Sequence, residues 1–304
     1  MQEPILRLGT RGSLLARTQS SHVAAALCAA HAGLSIETIT ISTSGDRMVD
    51  RPLADAGGKG LFTKELEIAL LENRIDFAVH SLKDVPVTMP LVDQADLILA
   101  AVPKREDARD MLVSRKASSV PALGAGASVG TGSLRRQCQL LAARSDLKIV
   151  PLRGNVDTRL RKLESGECDA IVLALAGVKR LGKFDASFMF PIEFEVMLPS
   201  AGQGALALQC RRADARTISI LAALNDAEVF DAVTAERAVV AELGGDCHSP
   251  IAAHAVITGN RMELSAAVGE CDGGPPVRRA MERVERGKWN EAVITVCATL
   301  RGSV

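Results

Sequence analysis

Gly9-Thr10-Arg11-Gly12-Ser13-Leu14 recurs, one residue shorter, as Gly130-Thr131-Gly132-Ser133-Leu134. Each copy closes a short β-rich run, residues 5–8 and 128–131, and each opens an amphipathic stretch with helical spacing, residues 13–30 and 133–143. Strand, glycine turn and helix in the same order, twice in one chain, predict two α/β lobes of similar build.

Reading outward, the first lobe continues through runs at 36–42, 61–72, 77–80 and 97–101, alternating strand and helix character. A charged stretch at 103–110 leads into the second lobe. There, strands are expected at 111–114, 128–131, 148–152 and 170–175, and helices at 133–143 and 156–165. Runs at 193–198 and 205–209 read as strands flanking Pro199-Ser200-Ala201-Gly202-Gln203-Gly204, a glycine-rich segment suited to a hinge. From about Asp226 the pattern changes to a helix at 231–243, two β-like runs at 252–258 and 262–268, and a charged helix at 277–286. The expected division is domain 1 at 1–102 and 204–224, domain 2 at 103–203, and a smaller α+β domain 3 at 225–304.

Composition narrows the function. The chain has 304 residues, 47% of them hydrophobic, enough for several packed lobes. Lysine plus arginine equals aspartate plus glutamate at 36 each, so no global field draws it to nucleic acid or membrane, and any anion site must be local. Aromatics are 3% with no tyrosine, which leaves few stacking platforms for bases. Apolar stretches such as 170–176 are far short of a membrane span. Arg11 and Arg17 interrupt any signal-peptide core, so a cytoplasmic protein is expected. The seven cysteines are odd in number and form no Cys-x-x-Cys pair, which argues against a disulfide framework or a zinc ribbon; no metal is expected. A monomer is the default.

Arginine recurs with small hydroxyl residues at the predicted strand-to-helix turns: Thr10, Arg11 and Ser13; Thr131, Ser133, Arg135 and Arg136; Arg153, Asn155 and Arg159. Helix N-termini offer unpaired N–H groups and arginine offers bidentate pairing, so the set suits a ligand with several carboxylates or phosphates. Taken singly, each turn reads more readily as a capped helix with a solvated arginine; it is their recurrence that favours a ligand. Asp84, in His80-Ser81-Leu82-Lys83-Asp84-Val85-Pro86, stands where a strand ends, either as a turn former or as a carboxylate facing a ligand crevice. Gly57-Gly58-Lys59-Gly60 lacks the spacing of a phosphate loop, and residues 44–60 read better as a lid. Cys247 lies in a loop, Gly244-Gly245-Asp246-Cys247-His248-Ser249-Pro250, where packing does not explain it. It could serve as a covalent attachment point, or with His248 as a nucleophile or metal ligand.

Together these blocks resemble the porphobilinogen deaminase family over nearly the whole chain. The resemblance is carried by residues 8–16, by Gly57-Gly58-Lys59-Gly60-Leu61-Phe62-Thr63-Lys64-Glu65-Leu66-Glu67, by residues 78–86, by Gly130-Thr131-Gly132-Ser133-Leu134-Arg135-Arg136-Gln137, by residues 152–160, and by Gly202-Gln203-Gly204-Ala205. It implies two periplasmic-binding-protein-like α/β domains joined by hinges, a smaller α+β C-terminal domain, and an active cleft between the first two. It implies the condensation of four porphobilinogen molecules, with loss of ammonia, on a dipyrromethane cofactor held by Cys247 through a thioether, then hydrolytic release of the linear tetrapyrrole hydroxymethylbilane. By the same resemblance Asp84 is the catalytic carboxylate. Lys83, Asp84, Ser133, Arg135 and Arg136 bind the cofactor, and Arg11, Ser13, Phe62, Arg153 and Arg159 bind substrate. The chain departs from the family pattern at Asp55, Gly132, Asp246, Ser249 and the stretch after Trp289. The rival readings are a non-catalytic anion- or solute-binding module and a Cys–His hydrolase.

Overall fold

The structure is a computed structural model that describes residues 5–43, 63–87, 96–246 and 248–302. The chain divides into two compact units, 1–105 with 205–231, and 106–204 with 232–304, so it passes from the first to the second and back before entering the second again.

Among the described residues, the first unit holds a five-stranded sheet ordered β2-β1-β3-β10-β4. Its strands are β1 (Leu6–Thr10), β2 (Ile36–Thr40), β3 (Phe77–Ser81), β4 (Leu97–Ala101) and β10 (Leu206–Arg211). The first three run parallel, and β10 is antiparallel to both neighbours. Helix α1 (Leu14–Ala30) follows β1 and α2 (Lys64–Leu71) precedes β3. Both sheet faces are covered, and alternate strand residues divide between two cores. Leu6, Leu8, Phe77 and Val79 pack with Val23 and Leu27 of α1, whereas Ala78 packs with Leu66, Leu70 and Ile75 on the other side.

The second unit repeats this plan in a sheet ordered β7-β6-β8-β5-β9. Here β5 is Asp110–Val113, β6 Ser128–Gly130, β7 Lys148–Val150, β8 Ala170–Ala174 and β9 Met189–Pro191. Strands β6, β7 and β8 are parallel and β5 is antiparallel to β8 and β9. Helix α3 (Leu134–Ala143) leaves β6, α4 (Val156–Glu164) leads to β8, and α5 (Leu175–Arg180) follows it directly. The repeated motif thus begins on the strand next to the middle of each sheet. Packing is tight against its first glycine in both copies: a Cβ on Gly9 would lie 2.3 Å from Ile75 Cδ1, and one on Gly130 would lie 3.0–3.1 Å from Leu152, Cys168 and Ile171.

Helices α6 (Ala215–Ala222) and α7 (Ala227–Glu242) lead into a three-stranded antiparallel sheet of β11 (Ile251–Thr258), β12 (Arg261–Val268) and β13 (Arg278–Glu285), followed by α8 (Trp289–Arg301). The charged helix expected at 277–286 is therefore β13. From Ala280 its exposure alternates with period two, Ala280, Glu282 and Val284 being the more covered, and its charges line a sheet edge where they discourage further pairing. The strand expected at 193–198 is a turn, in which the N–H groups of Val196 and Met197 both donate to the Glu193 carbonyl at 3.0 Å. The strand read over 170–175 stops at Ala174 because α5 begins at Leu175. Helices α5, α6 and α8 and strand β9 carried no distinct reading in the sequence.

Gly9→Ala should lower the unfolding free energy by about 1–3 kcal/mol, since Ile75 is fully buried and must shift. A urea titration reads this as a lower midpoint at unchanged slope; an unchanged midpoint would mean that the core opens there without strain.

Candidate functional site

In the first unit, polar side chains gather at the C-terminal ends of β1 and β3. Arg11, Gln19, Thr63, His80, Ser81 and Asp84 line one depression. Ser13 caps α1, its hydroxyl accepting from the Ala16 N–H at 3.3 Å, so the capping reading of this residue is realised. One turn along, the Gln19 amide and the Ser81 hydroxyl bond to each other at 2.9 and 3.1 Å, pinning α1 to the end of β3. Asp84 ends the single 3₁₀ turn Leu82–Asp84 that follows, half-buried, with Lys83 half-buried beside it.

Beneath this surface runs a buried relay. Glu67 on α2 lies within 3.2 Å of the Gln209 side-chain nitrogen, and the Gln209 oxygen lies 2.9 Å from His80 Nε2. The amide can donate to the carboxylate only through nitrogen, so it turns its oxygen to the ring and requires the proton on Nε2. Burial lowers the His80 pKa to about 4, with the nearby Arg11 charge acting in the same direction and the Gln209 bond opposing both. Thr63, the residue preceding α2, is 1% exposed, makes no capping bond, and its hydroxyl has no hydrogen-bond partner among the described residues.

In the second unit the arginines converge on a carboxylate that the sequence reading did not single out. Asp110, fully buried at the start of β5, accepts from Arg135 Nη1 at 2.7 Å, from Arg136 Nη2 at 2.8 Å and Nε at 3.1 Å, and from the Gln203 amide at 2.9 Å. Arg135 also donates to the Leu198 carbonyl and Arg136 to that of Val172. Burial works against the Asp110 charge, but the two guanidiniums outweigh it and hold its pKa far below the carboxylate range. Arg159, whose Nε donates to the Gly154 carbonyl at 2.8 Å, is pushed down to about 10 by burial and by the Arg136 charge. Asn155 caps α4 through the Thr158 N–H, whereas Ser133 makes no capping bond at α3. Arg153 is exposed. At position 132, a Cβ would meet the Leu152 carbonyl oxygen at 3.0 Å, a physical reason for glycine there.

Phe62, Asp55, the expected lid at 44–60 and Cys247 itself lie outside the described residues. On either side of position 247, the Asp246 carboxylate accepts the N–H groups of His248 and Ser249 at 2.9 and 3.0 Å, and the Ser249 hydroxyl accepts the Asp246 N–H at 2.9 Å. Burial disfavours the Asp246 charge, and these bonds more than offset it, leaving its pKa lowered. Among the described residues no cluster of His, Cys, Asp or Glu could hold a metal ion, and no helix is long and apolar enough to cross a membrane.

Two family models match the chain in succession. One, described as the dipyrromethane cofactor-binding domain of porphobilinogen deaminase, matches residues 6–219; the other, its C-terminal domain, matches residues 230–301. Solved structures similar to the chain include YhfZ from Shigella flexneri, at 17% identity and TM-score 0.37, covering 80% of this chain and 92% of that one. Another is substrate-binding domain 2 of Lactococcus lactis GlnP in an open conformation, at 11% identity and TM-score 0.46, covering 74% and 89%. A third is a putative methionine-binding lipoprotein of Bacillus subtilis, at 12% identity and TM-score 0.44, covering 75% and 92%.

Two outcomes test these electrostatics. Asp110→Asn should cost about 3–5 kcal/mol, because one amide oxygen cannot neutralise two buried guanidiniums. The Asp110 contribution is present above an unfolded-state pKa of about 3.9 and is lost as pH falls below it, so acid unfolding monitored by circular dichroism should be less steep for the variant. Because the folded-state pKa of His80 lies below its unfolded value of about 6.5, its contribution is present above that pH and fades as pH falls toward 4. Its ring resonances should show no titration between pH 8 and 5; a midpoint near 6.5 would contradict the buried relay.

Proposed function

Because the chain belongs to the porphobilinogen deaminase family, we propose that it condenses four porphobilinogen molecules, with loss of ammonia, onto a dipyrromethane primer joined to Cys247 by a thioether, and then releases hydroxymethylbilane by hydrolysis. The observation that carries this reading is the ordered match of both family domains to residues 6–219 and 230–301. With it go the three-domain division at 1–102 with 204–224, 103–203 and 225–304, a cytoplasmic location and a monomeric working state.

The chemistry of the side chains fits such ligands. Arg135 and Arg136 share the single negative charge of Asp110, and Arg159 is near enough to Arg136 to be disfavoured by it. This excess of desolvated positive charge is relieved by a ligand bearing carboxylates, as the acetate and propionate groups of porphobilinogen and of the primer do. When bound, the primer supplies the nucleophilic terminal pyrrole carbon to which each new unit is joined.

In this reading Arg135, Arg136, Lys83 and Ser133 hold primer carboxylates, while Arg11, Ser13, Phe62, Arg153 and Arg159 serve the substrate. Ser13 acts in part through the helix that it caps. Asp84 stands at the end of β3, where its carboxylate can accept pyrrole N–H groups. There it stabilises the positive charge that grows on the substrate as its amine departs, and it assists the accompanying proton transfers. Arg11 beside it orients a carboxylate of the same pyrrole.

Intact mass of acid-denatured protein from cells that make porphobilinogen tests the attachment. Wild type should carry the added mass of a dipyrromethane and Cys247→Ser should not; a bare chain that still consumes porphobilinogen would refute the Cys247 role. Asp84→Asn should retain the primer while its turnover falls by roughly 10²–10⁴-fold. Near-normal rates in that variant would remove Asp84 from the chemistry.

A further inference from the structure

Buried hydroxyls in folded proteins are almost always satisfied, so the exception at Thr63 needs a reason. Its Oγ1 is enclosed, at 1% residue exposure, and has no hydrogen-bond partner among the described residues. A threonine preceding a helix ordinarily caps it, yet Thr63 makes no capping bond. The backbone explains this in part, since its φ and ψ of −121° and −30° are not the extended pair found at Ser13, which does cap. A valine of the same shape would fill the space without leaving an unpaired polar atom. Stability therefore gains nothing from the hydroxyl.

Its position supplies the reason. Thr63 lines the same depression as Arg11 and Asp84. Asp84 and the Ser81 hydroxyl supply acceptor oxygens there, and the neutral His80 ring adds no charge. Arg11 is the cationic side chain of the lining. The acidic first turn of α2, with Glu65 and Glu67, offsets the helix-end charge, so the inference rests on the hydroxyl and on Arg11 rather than on the helix N-terminus.

Resting on the reading of the preceding subsection, we propose that the Thr63 hydroxyl is a binding contact that donates a hydrogen bond to a carboxylate of the pyrrole seated against Arg11. That carboxylate belongs either to the incoming porphobilinogen or to the primer; the chemistry is the same, and the two are separable by experiment.

The test compares Thr63→Val and Thr63→Ser with wild type as holoenzyme. Three quantities are read: the melting temperature, the fraction of chains carrying the primer by intact mass, and KM and kcat for porphobilinogen. Thr63→Val should melt at or above the wild-type temperature, since an unpaired buried hydroxyl is removed. If the contact is to the incoming unit, KM rises roughly tenfold with kcat little changed and the primer fully loaded. If it is to the primer, the loaded fraction falls instead. Thr63→Ser should restore either loss.

A Thr63→Val protein with wild-type KM and loading would overturn the proposal, and would mean that the hydroxyl meets only water. A melting temperature lowered in Thr63→Val and restored in Thr63→Ser, with KM and loading unchanged, would likewise overturn it by assigning the hydroxyl to the fold. Wild type that neither carries the primer nor consumes porphobilinogen would instead sink the family-level activity on which the proposal rests.

Discussion

The second unit is organised around one buried carboxylate. Asp110 opens β5 directly opposite Ala174, the last residue of β8, so the antiparallel strand starts at the edge where the parallel strands end. Helix α3 begins from β6 at that edge, and its first turn carries Arg135 and Arg136. Gln203, from the segment that leads out of the unit, reaches the same carboxylate. Strand start, helix start and exit segment are thus held by one set of charge-assisted bonds. Desolvating three charges is expensive and gives no assurance of net stability. What it does give is orientation, because guanidiniums held at 2.7–3.1 Å cannot swing away to solvent. An anion arriving there meets positive charge already in place, with little reorganisation left to make.

The first unit has the same strand order and the opposite electrostatic plan. Its acid at the sheet edge, Asp84, stands on a short turn rather than at the head of a strand. Deeper in, where the second unit has an ion cluster, the first has an uncharged histidine joined through an amide to Glu67. A protonated His80 would set a second cation near Arg11. The amide link avoids this by passing on a hydrogen bond without passing on a charge. One topology therefore presents a carboxylate with room to act in one unit, and in the other an array of cations whose carboxylate is already committed.

The fold and much of the site are legible in the chain because the governing signals are local. The glycine-initiated repeat marks both β–turn–α units, and β1 and β3 are buried almost throughout, as their short apolar runs suggest. Residues 277–286 show where locality fails. Arg-Arg-Ala-Met-Glu-Arg-Val-Glu fits an exposed helix as well as an edge strand, and pairing with β12 decides between them. Asp110 is hidden for the same reason. Within the charged run at 103–110 nothing distinguishes the carboxylate that meets Arg135 from those that do not, because its partners lie 25 and 26 residues away. Arg135 and Arg136 are read from the sequence as ligand contacts, but that half of their hydrogen-bonding capacity is spent on the protein is a tertiary fact. Thr63 carries no sequence signal at all, since an unsatisfied hydroxyl is defined only by what surrounds it.

In the loop around position 247 two side chains are coupled. Asp246 and Ser249 are bonded to each other: the serine hydroxyl accepts the Asp246 N–H at 2.9 Å and donates to the Asp246 carboxylate at 3.0 Å. That carboxylate also accepts two backbone N–H groups, the turn-forming arrangement for which aspartate is suited. An aspartate introduced alone would carry its burial cost with fewer compensating bonds, and a serine alone would lose its acceptor. Together they lower the conformational freedom of the residues on both sides of the cysteine. Small-residue loops gain flexibility from what they lack; this one gains definition from a charge placed beside position 247, where it is satisfied by the loop's own N–H groups.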